Sequence, residues 1–218
     1  MLQLREVAQK TSSCCRLLGP EITVCCNDRE MSTTDWLPLI DLLRGAGLEF
    51  EKGLSDFEIE DLESRFDFRF PPDLRALLKA AVPFWNSPRW HSGSDLDIRQ
   101  WFDGPLEGIL LDVEHNEFWL PEWGKRPEDL PDALEIASLR IKEAPKLIPI
   151  IFNRYIPELP LQAGNPVFSV HQADIIYYGF DLEDYLRHEF NLPRKEWPAQ
   201  IRPIEFWDPN RFQELRWE

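Results

Sequence analysis

Residues 145–190, PKLIPIIFNRYIPELPLQAGNPVFSVHQADIIYYGFDLEDYLRHEF, constrain the fold of this chain more than any other segment. LIPIIF (147–152) is an apolar run of strand length. Pro149 inside it cannot donate to a ladder, which places that strand at a sheet edge or at a bulge. A Pro/Gly-punctuated excursion follows. PVFSV (166–170) and DIIYYG (174–179) are rich in β-branched and aromatic residues and read as successive antiparallel strands. Asp181 then caps a helix whose apolar face is Leu182, Tyr185, Leu186 and Phe190. Glu183 and Asp184 sit near its start and Arg187 and His188 near its end, so each sign complements the helix dipole. No catalytic or cofactor signature interrupts the segment. It builds a core and a recognition surface.

Upstream, Trp36, Leu39, Ile40 and Leu43 recur at helical spacing, with Thr34 or Asp35 as cap and Gly45 and Gly47 as stop. Ser55 and Glu58 form a capping box ahead of a stripe of Ile59, Leu62 and Phe66. Phe68 and Phe70 alternate like a short strand. Pro72 suits the first turn of a helix that buries Leu74, Leu77, Leu78 and Ala81. Residues 83–107 read as a long aromatic loop with one helical turn near Ile98–Trp101. ILLDV (109–113) and EFWL (117–120) read as a β-hairpin around Glu114-His115-Asn116. Leu130, Leu134, Ala137 and Ile141 mark another helix, and IRPIEFW (201–207) adds an edge strand. Strands follow one another more than they alternate with helices. The expectation is therefore an α+β single domain with a mainly antiparallel sheet and helices packed against it.

The chain has 218 residues, 43% of them hydrophobic, enough for one sizeable core. No run reaches the roughly 18 apolar residues of a membrane helix. The formal net charge of −15 opposes nucleic acid and anionic membranes and favours a basic protein partner. Segment 1–30 carries four basic and four acidic residues, so the whole excess lies on 31–218. All four cysteines, Cys14, Cys15, Cys25 and Cys26, fall in that segment as adjacent pairs, without the C-x-x-C spacing of a zinc or redox site. Residues 1–30 are expected to lie outside the fold, with Met31 as an alternative translation start and 31–218 as the folded domain. The cysteine-free remainder fits a cytoplasmic setting.

Motifs for nucleotide binding, zinc proteolysis and the nucleophile elbow are missing. The sharpest enzymatic candidate is DVEHNE (112–117), where Asp112, Glu114, His115 and Glu117 could hold a divalent cation for a metal-dependent hydrolase. The competing reading is a solvated hairpin tip. The nine tryptophans carry large apolar areas that suit cores and interface anchors alike. Trp85, Trp90, Trp119 and Trp123 either line a groove, with Arg154 and Tyr155 nearby, or plug the end of the sheet. The candidate partner-binding set is Trp85, Trp90, Asp112, Glu114, His115, Trp119, Trp123, Arg154 and Tyr155. No catalytic residue, metal ligand or cofactor is assigned.

Three patterns in order resemble the SUKH superfamily, named for fungal cell-wall-synthesis regulators and related bacterial toxin-immunity proteins. They are GLSDFEIEDLESRFDFRFPPDLRALLKAAVP (53–83), GILLDVEHNEFWLPEWGKRP (108–127) with its W-x-x-x-W-G-x-R-P step, and 147–190 with Gly164–Val170 as G-N-P-V-x-S-V. The resemblance covers about residues 50–190. It implies a protein-binding α+β domain without shared catalytic residues. Many bacterial members are immunity proteins that neutralise a toxin domain, and fungal members act as scaffolds. The expected function is an immunity-type module that occludes a basic toxin domain, monomer favoured. A housekeeping scaffold is the alternative, followed by the hydrolase.

Overall fold

In a computed structural model, which describes residues 35–213, the chain opens with helix α1 (Leu37–Gly45). The expected extension, 1–30, and the cysteines within it lie outside the described residues. Asp35 accepts the Leu37 N–H at 3.2 Å, and Gly47, at φ +97°, turns the chain away after the last turn. Strand β1 (Phe50–Lys52) pairs antiparallel with β2 (Ala81–Pro83), flanking helices α2 (Asp56–Phe66) and α3 (Pro72–Ala80). The capping box forms as expected: Ser55 Oγ accepts the Glu58 N–H, and Glu58 Oε2 accepts the Ser55 N–H at 2.8 Å. Phe68 and Phe70 do not form a strand. The buried Glu63 carboxylate takes the Phe70 N–H at 3.0 Å, the bond a neighbouring strand would have supplied, and both rings turn into the core.

Helix α4 (Asp95–His115) overturns the expected loop and hairpin: 21 residues form one helix, capped by a second box between Ser94 and Asp97. Its apolar positions Ile98, Phe102, Ile109 and Val113 keep helical spacing, but Gly104, Pro105 and Gly108 interrupt the pattern. Those three residues have packing reasons. A β-carbon at Gly104 would lie 3.0 Å from the Tyr155 hydroxyl, and one at Gly108 would lie 3.1 Å from the Gln172 backbone. The helix therefore approaches the neighbouring strands too closely for larger side chains. Pro105 removes the N–H that would bond the carbonyl of Trp101 four residues earlier. The Tyr155 hydroxyl donates to that carbonyl instead, at 3.1 Å. Burial pushes the Tyr155 phenol up to about 12.

After a 3-10 turn (Pro121–Trp123), helix α5 (Leu130–Lys142) leads to four strands, β3 (Leu147–Ile151), β4 (Arg154–Pro157), β5 (Val167–His171) and β6 (Asp174–Gly179). They form an antiparallel meander in sequence order, and β3 is an edge with an irregularity between Pro149 and Ile151, as the proline requires. Strand β4 lies in what reads as an excursion. Helix α6 (Leu182–Glu189) follows, with Asp181 accepting the Asp184 N–H at 2.7 Å. The expected strand at 201–207 is absent. Ile204 and Trp207 pack inward, the Trp207 indole donates to the Pro145 carbonyl, and helix α7 (Pro209–Gln213) follows.

The sheet is buried on both faces. Alternate side chains divide between two cores: Ile148, Ile156 and Val167 join α1, α2, α3 and α6, while Leu147, Tyr155, Phe168 and Ile175 join α4, α5 and α7. The fold is α+β. Among the described residues no helix is long and apolar enough to cross a membrane.

Tyr155→Phe leaves the Trp101 carbonyl without its donor in the core, and should cost about 1–3 kcal/mol in urea unfolding. In a Pro105→Ala background the restored N–H fills that carbonyl, so the same change should cost clearly less; equal costs would refute the substitution of phenol for amide. The raised phenol also contributes stability that is full below its unfolded value near 10 and is lost as pH rises through about 12, a loss the Phe variant should lack. Glu58 is held at about 2, chiefly by its hydrogen bonds to Ser55 and by His91. Its contribution is present above the ordinary value of 4.5 and lost as pH falls through about 2. Glu58→Gln should therefore flatten the acid limb of the stability curve in that window.

Candidate functional site

One end of the meander gathers exposed aromatic residues. The two-residue turn between β3 and β4, Phe152-Asn153, holds Phe152 at φ +50°. That region costs a residue with a β-carbon about 1–2 kcal/mol. The Phe152 N–H donates to the Asn86 carbonyl at 2.7 Å, tying the turn to the segment after β2. The tie brings Trp85 edge-on to Phe152, with ring centroids 4.8 Å apart, and Trp85 also meets Phe190 at the end of α6 at 6.2 Å. Trp85 is 46% exposed and Phe152 42%. Among the described residues they are the pair of exposed large aromatic side chains in ring contact. A groove of about 610 Å³ runs beside them, lined by Ala46, Gly47, Glu49, Phe84, Trp85, Glu189 and Phe190.

Arg154 braces this end. Its Nε donates to Glu189 Oε2 at 3.2 Å, its Nη1 to Ser169 Oγ at 2.8 Å and to Asn153 Oδ1, and its guanidinium lies 3.7 Å over the Tyr178 ring. Tyr178 in turn stacks on His188, whose Nδ1–H donates to the Tyr178 carbonyl. Both members of the Arg154–Glu189 pair are mostly buried, so removing either would strand a charge. The arrangement is a rigid aromatic edge on a braced, charged base.

The structure separates the sequence-derived candidates. Trp85 stands at this surface and Arg154 lies in the base beneath it. Trp90 is 6% exposed and packs on Phe68, Phe70 and Phe102. Tyr155 is buried under α4. Trp119 and Trp123 stack edge-on at 5.1 Å, the Trp119 indole donates to the Gly124 carbonyl, and Arg126 donates to the Val113 carbonyl near the end of α4. The W-x-x-x-W-G-x-R-P step therefore clasps the end of a helix. Asp112 is buried; it accepts the Ala173 N–H at 2.7 Å and the Asn116 side-chain N–H at 2.6 Å. Glu114 and His115 are exposed at the end of α4, and Glu117 lies beyond it. The hydrolase reading needed these donors on one hairpin face, and they lie on a helix end with Asp112 turned into the core. Among the described residues no group of three or more His, Cys, Asp or Glu side chains is placed to hold a metal ion.

Sequence reasoning missed Phe84, Phe152, Glu49 and Glu189, and assigned Phe190 to the core face of α6. An aromatic residue beside Asn between two strand-like runs was the available signal for Phe152, since turns rarely place a large ring there. Glu49 carried no local signal, because only the tertiary fold brings the end of α1 to the end of α6. Elsewhere, the buried Asp73 accepts the Gly164 N–H at 2.8 Å, joining segments 53–83 and 147–190. Burial pushes its carboxyl up, and that amide and the Leu74 amide oppose the rise. Asn165 beside it is buried and donates to the Pro157 and Pro160 carbonyls. The chain matches no protein-family model, no curated protein and no solved structure.

Proposed function

We propose that this chain is a non-enzymatic protein-binding module, an immunity-type inhibitor that covers the basic site of a toxin domain with the surface around Trp85. The observation that carries the reading is the contact of Trp85 with Phe152: two large rings held in the open, one of them on a strained backbone. Each ring leaves more than two fifths of its surface open to a partner. Trp in a rigid setting is the residue most often found to dominate interface energy. The net charge of −15 supports a basic partner, because opposite fields speed encounter and discriminate against acidic competitors. The resemblance of 53–83, 108–127 and 147–190 to the SUKH superfamily supports the same class. Its patterned residues Asp73, Gly164, Asn165 and Trp123 serve as joints of the fold, which leaves the contact surface free to vary.

The test is co-expression with the toxin-domain product of a neighbouring gene. Rescue of growth and a purified complex support the immunity role. A complex with a wall-synthesis or signalling protein, without rescue by any neighbouring product, favours the scaffold role. In either complex Trp85→Ala should weaken binding about thirtyfold, the scale of an interface hot spot, measured on protein that urea unfolding shows to be folded, since loss of the Phe152 and Phe190 contacts also lowers the urea midpoint. Raising the ionic strength from about 0.05 to about 0.5 M should weaken binding further. Wild-type affinity in the Ala variant would end this assignment of the surface.

A further inference from the structure

The groove beside Trp85 has a composition that specifies its occupant. Three aromatic residues, Phe84, Trp85 and Phe190, line it together with two carboxylates, Glu49 and Glu189. Two helices end there: Ala46 is the C-terminal cap of α1, and Phe190 is that of α6. Helix C-termini carry partial negative charge, which Arg44 in the last turn of α1 and Arg187 in that of α6 meet only in part. Aromatic faces also attract cations. Arg154 already takes one oxygen of Glu189, while the Glu49 side chain has no ion-pair partner among the described residues, so Glu49 is the carboxylate left open to an incoming cation. Arg89 lies 3.6 Å over the Phe84 ring and shows that this wall already holds a guanidinium on one face.

We propose that this groove is a cation pocket, and that it takes an arginine or lysine side chain of the partner, with the planar guanidinium the better fit for stacking on Trp85. The proposal rests on the binding-module reading and deepens it: the partner's contact segment presents a basic side chain at its centre, flanked by apolar atoms that cover Phe152. The anchor is reached from solvent, since Ala46, Gly47, Glu49 and Trp85 are exposed. Charge complementarity then acts at two ranges. The acidic body attracts a basic partner at a distance, and Glu49 with the two helix ends sets where one cation is seated.

The probe is a single amino acid derivative, which separates this claim from the identity of any partner. The isotope-labelled chain is titrated with N-acetyl-arginine methylamide, with the norleucine analogue as neutral control and the glutamate analogue as anionic control, and followed by NMR. The arginine compound should shift the Trp85 indole and the amides of Gly47, Glu49 and Phe190, with a dissociation constant on the order of millimolar. Glu49→Gln should weaken it about threefold, as expected for a partly exposed ion pair, and Trp85→Ala should remove it. Equal shifts with norleucine, or no shifts at about 100 mM arginine compound, would overturn the pocket. So would a concentration-dependent dimer that Trp85→Ala abolishes, since a second copy would then own the face. If a partner complex breaks with Trp85→Ala but withstands Glu49→Lys and competition by the arginine compound, the cation pocket fails and the binding-module reading stands.

Discussion

A four-stranded meander buried on both faces cannot be held by apolar contact alone, because the helices that cover it must also be fixed in register. Carboxylates do this. Asp73 on α3 accepts the amide of Gly164 ahead of β5, and Asp112 on α4 accepts the amide of Ala173 at the β5–β6 turn. Asp184 on α6 accepts the amide of Phe180 and is held by two bonds from Arg194. Glu63 on α2 accepts the amide of Phe70. All four are buried, and each turns a costly desolvated charge into a directional joint. One layer is fixed by Asp73 and the opposite layer by Asp112, so the sheet is pinned from two sides, while Asp184 and Glu63 close the turns beside their own helices.

With both faces occupied, the parts of the sheet left open are its ends and its edge. At the edge, Pro149 blocks extension through β3 by removing an N–H. At one end, the β3–β4 turn, the segment after β2 and the last turn of α6 converge, and the Arg154–Glu189 pair sets their spacing. The exposed rings of Trp85 and Phe152 stand on that base. In the binding role proposed here, the acidity of the body would draw in a basic surface and the aromatic edge would grip it. The strain at Phe152 is consistent with a residue kept for contact, since glycine would relieve it.

Much of this was legible in the sequence where a local rule sufficed. The Ser55–Glu58 box, the proline-started α3, the edge character of 147–151, the β5–β6 pair and the Asp181 cap each depend on neighbours in the chain. The α4 error has a physical origin. Gly104, Pro105 and Gly108 are loop signals in isolation, yet they are tolerated in a helix because Tyr155 and Gln172 approach from 50 to 65 residues away. Strand β4 was missed because Phe152-Asn153 lacks the glycine of a typical two-residue turn. Phe68 and Phe70 have strand alternation, but a buried carboxylate replaced the partner strand. At the site, Trp85 and Arg154 were visible as residue types. Their placement in one surface and its base, and the convergence of Glu49 with Glu189, depends on tertiary geometry that no spacing encodes.

Hydrogen exchange, comparing the chain alone with the chain bound to a basic partner of the kind proposed, tests the central claim most directly. The account predicts new protection confined to 46–49, 84–86, 152–154 and 189–191, with the α4 and β5–β6 amides already slow and unchanged. Protection centred instead on the exposed end of α4 at 114–117, or on the 119–127 clasp, would contradict it.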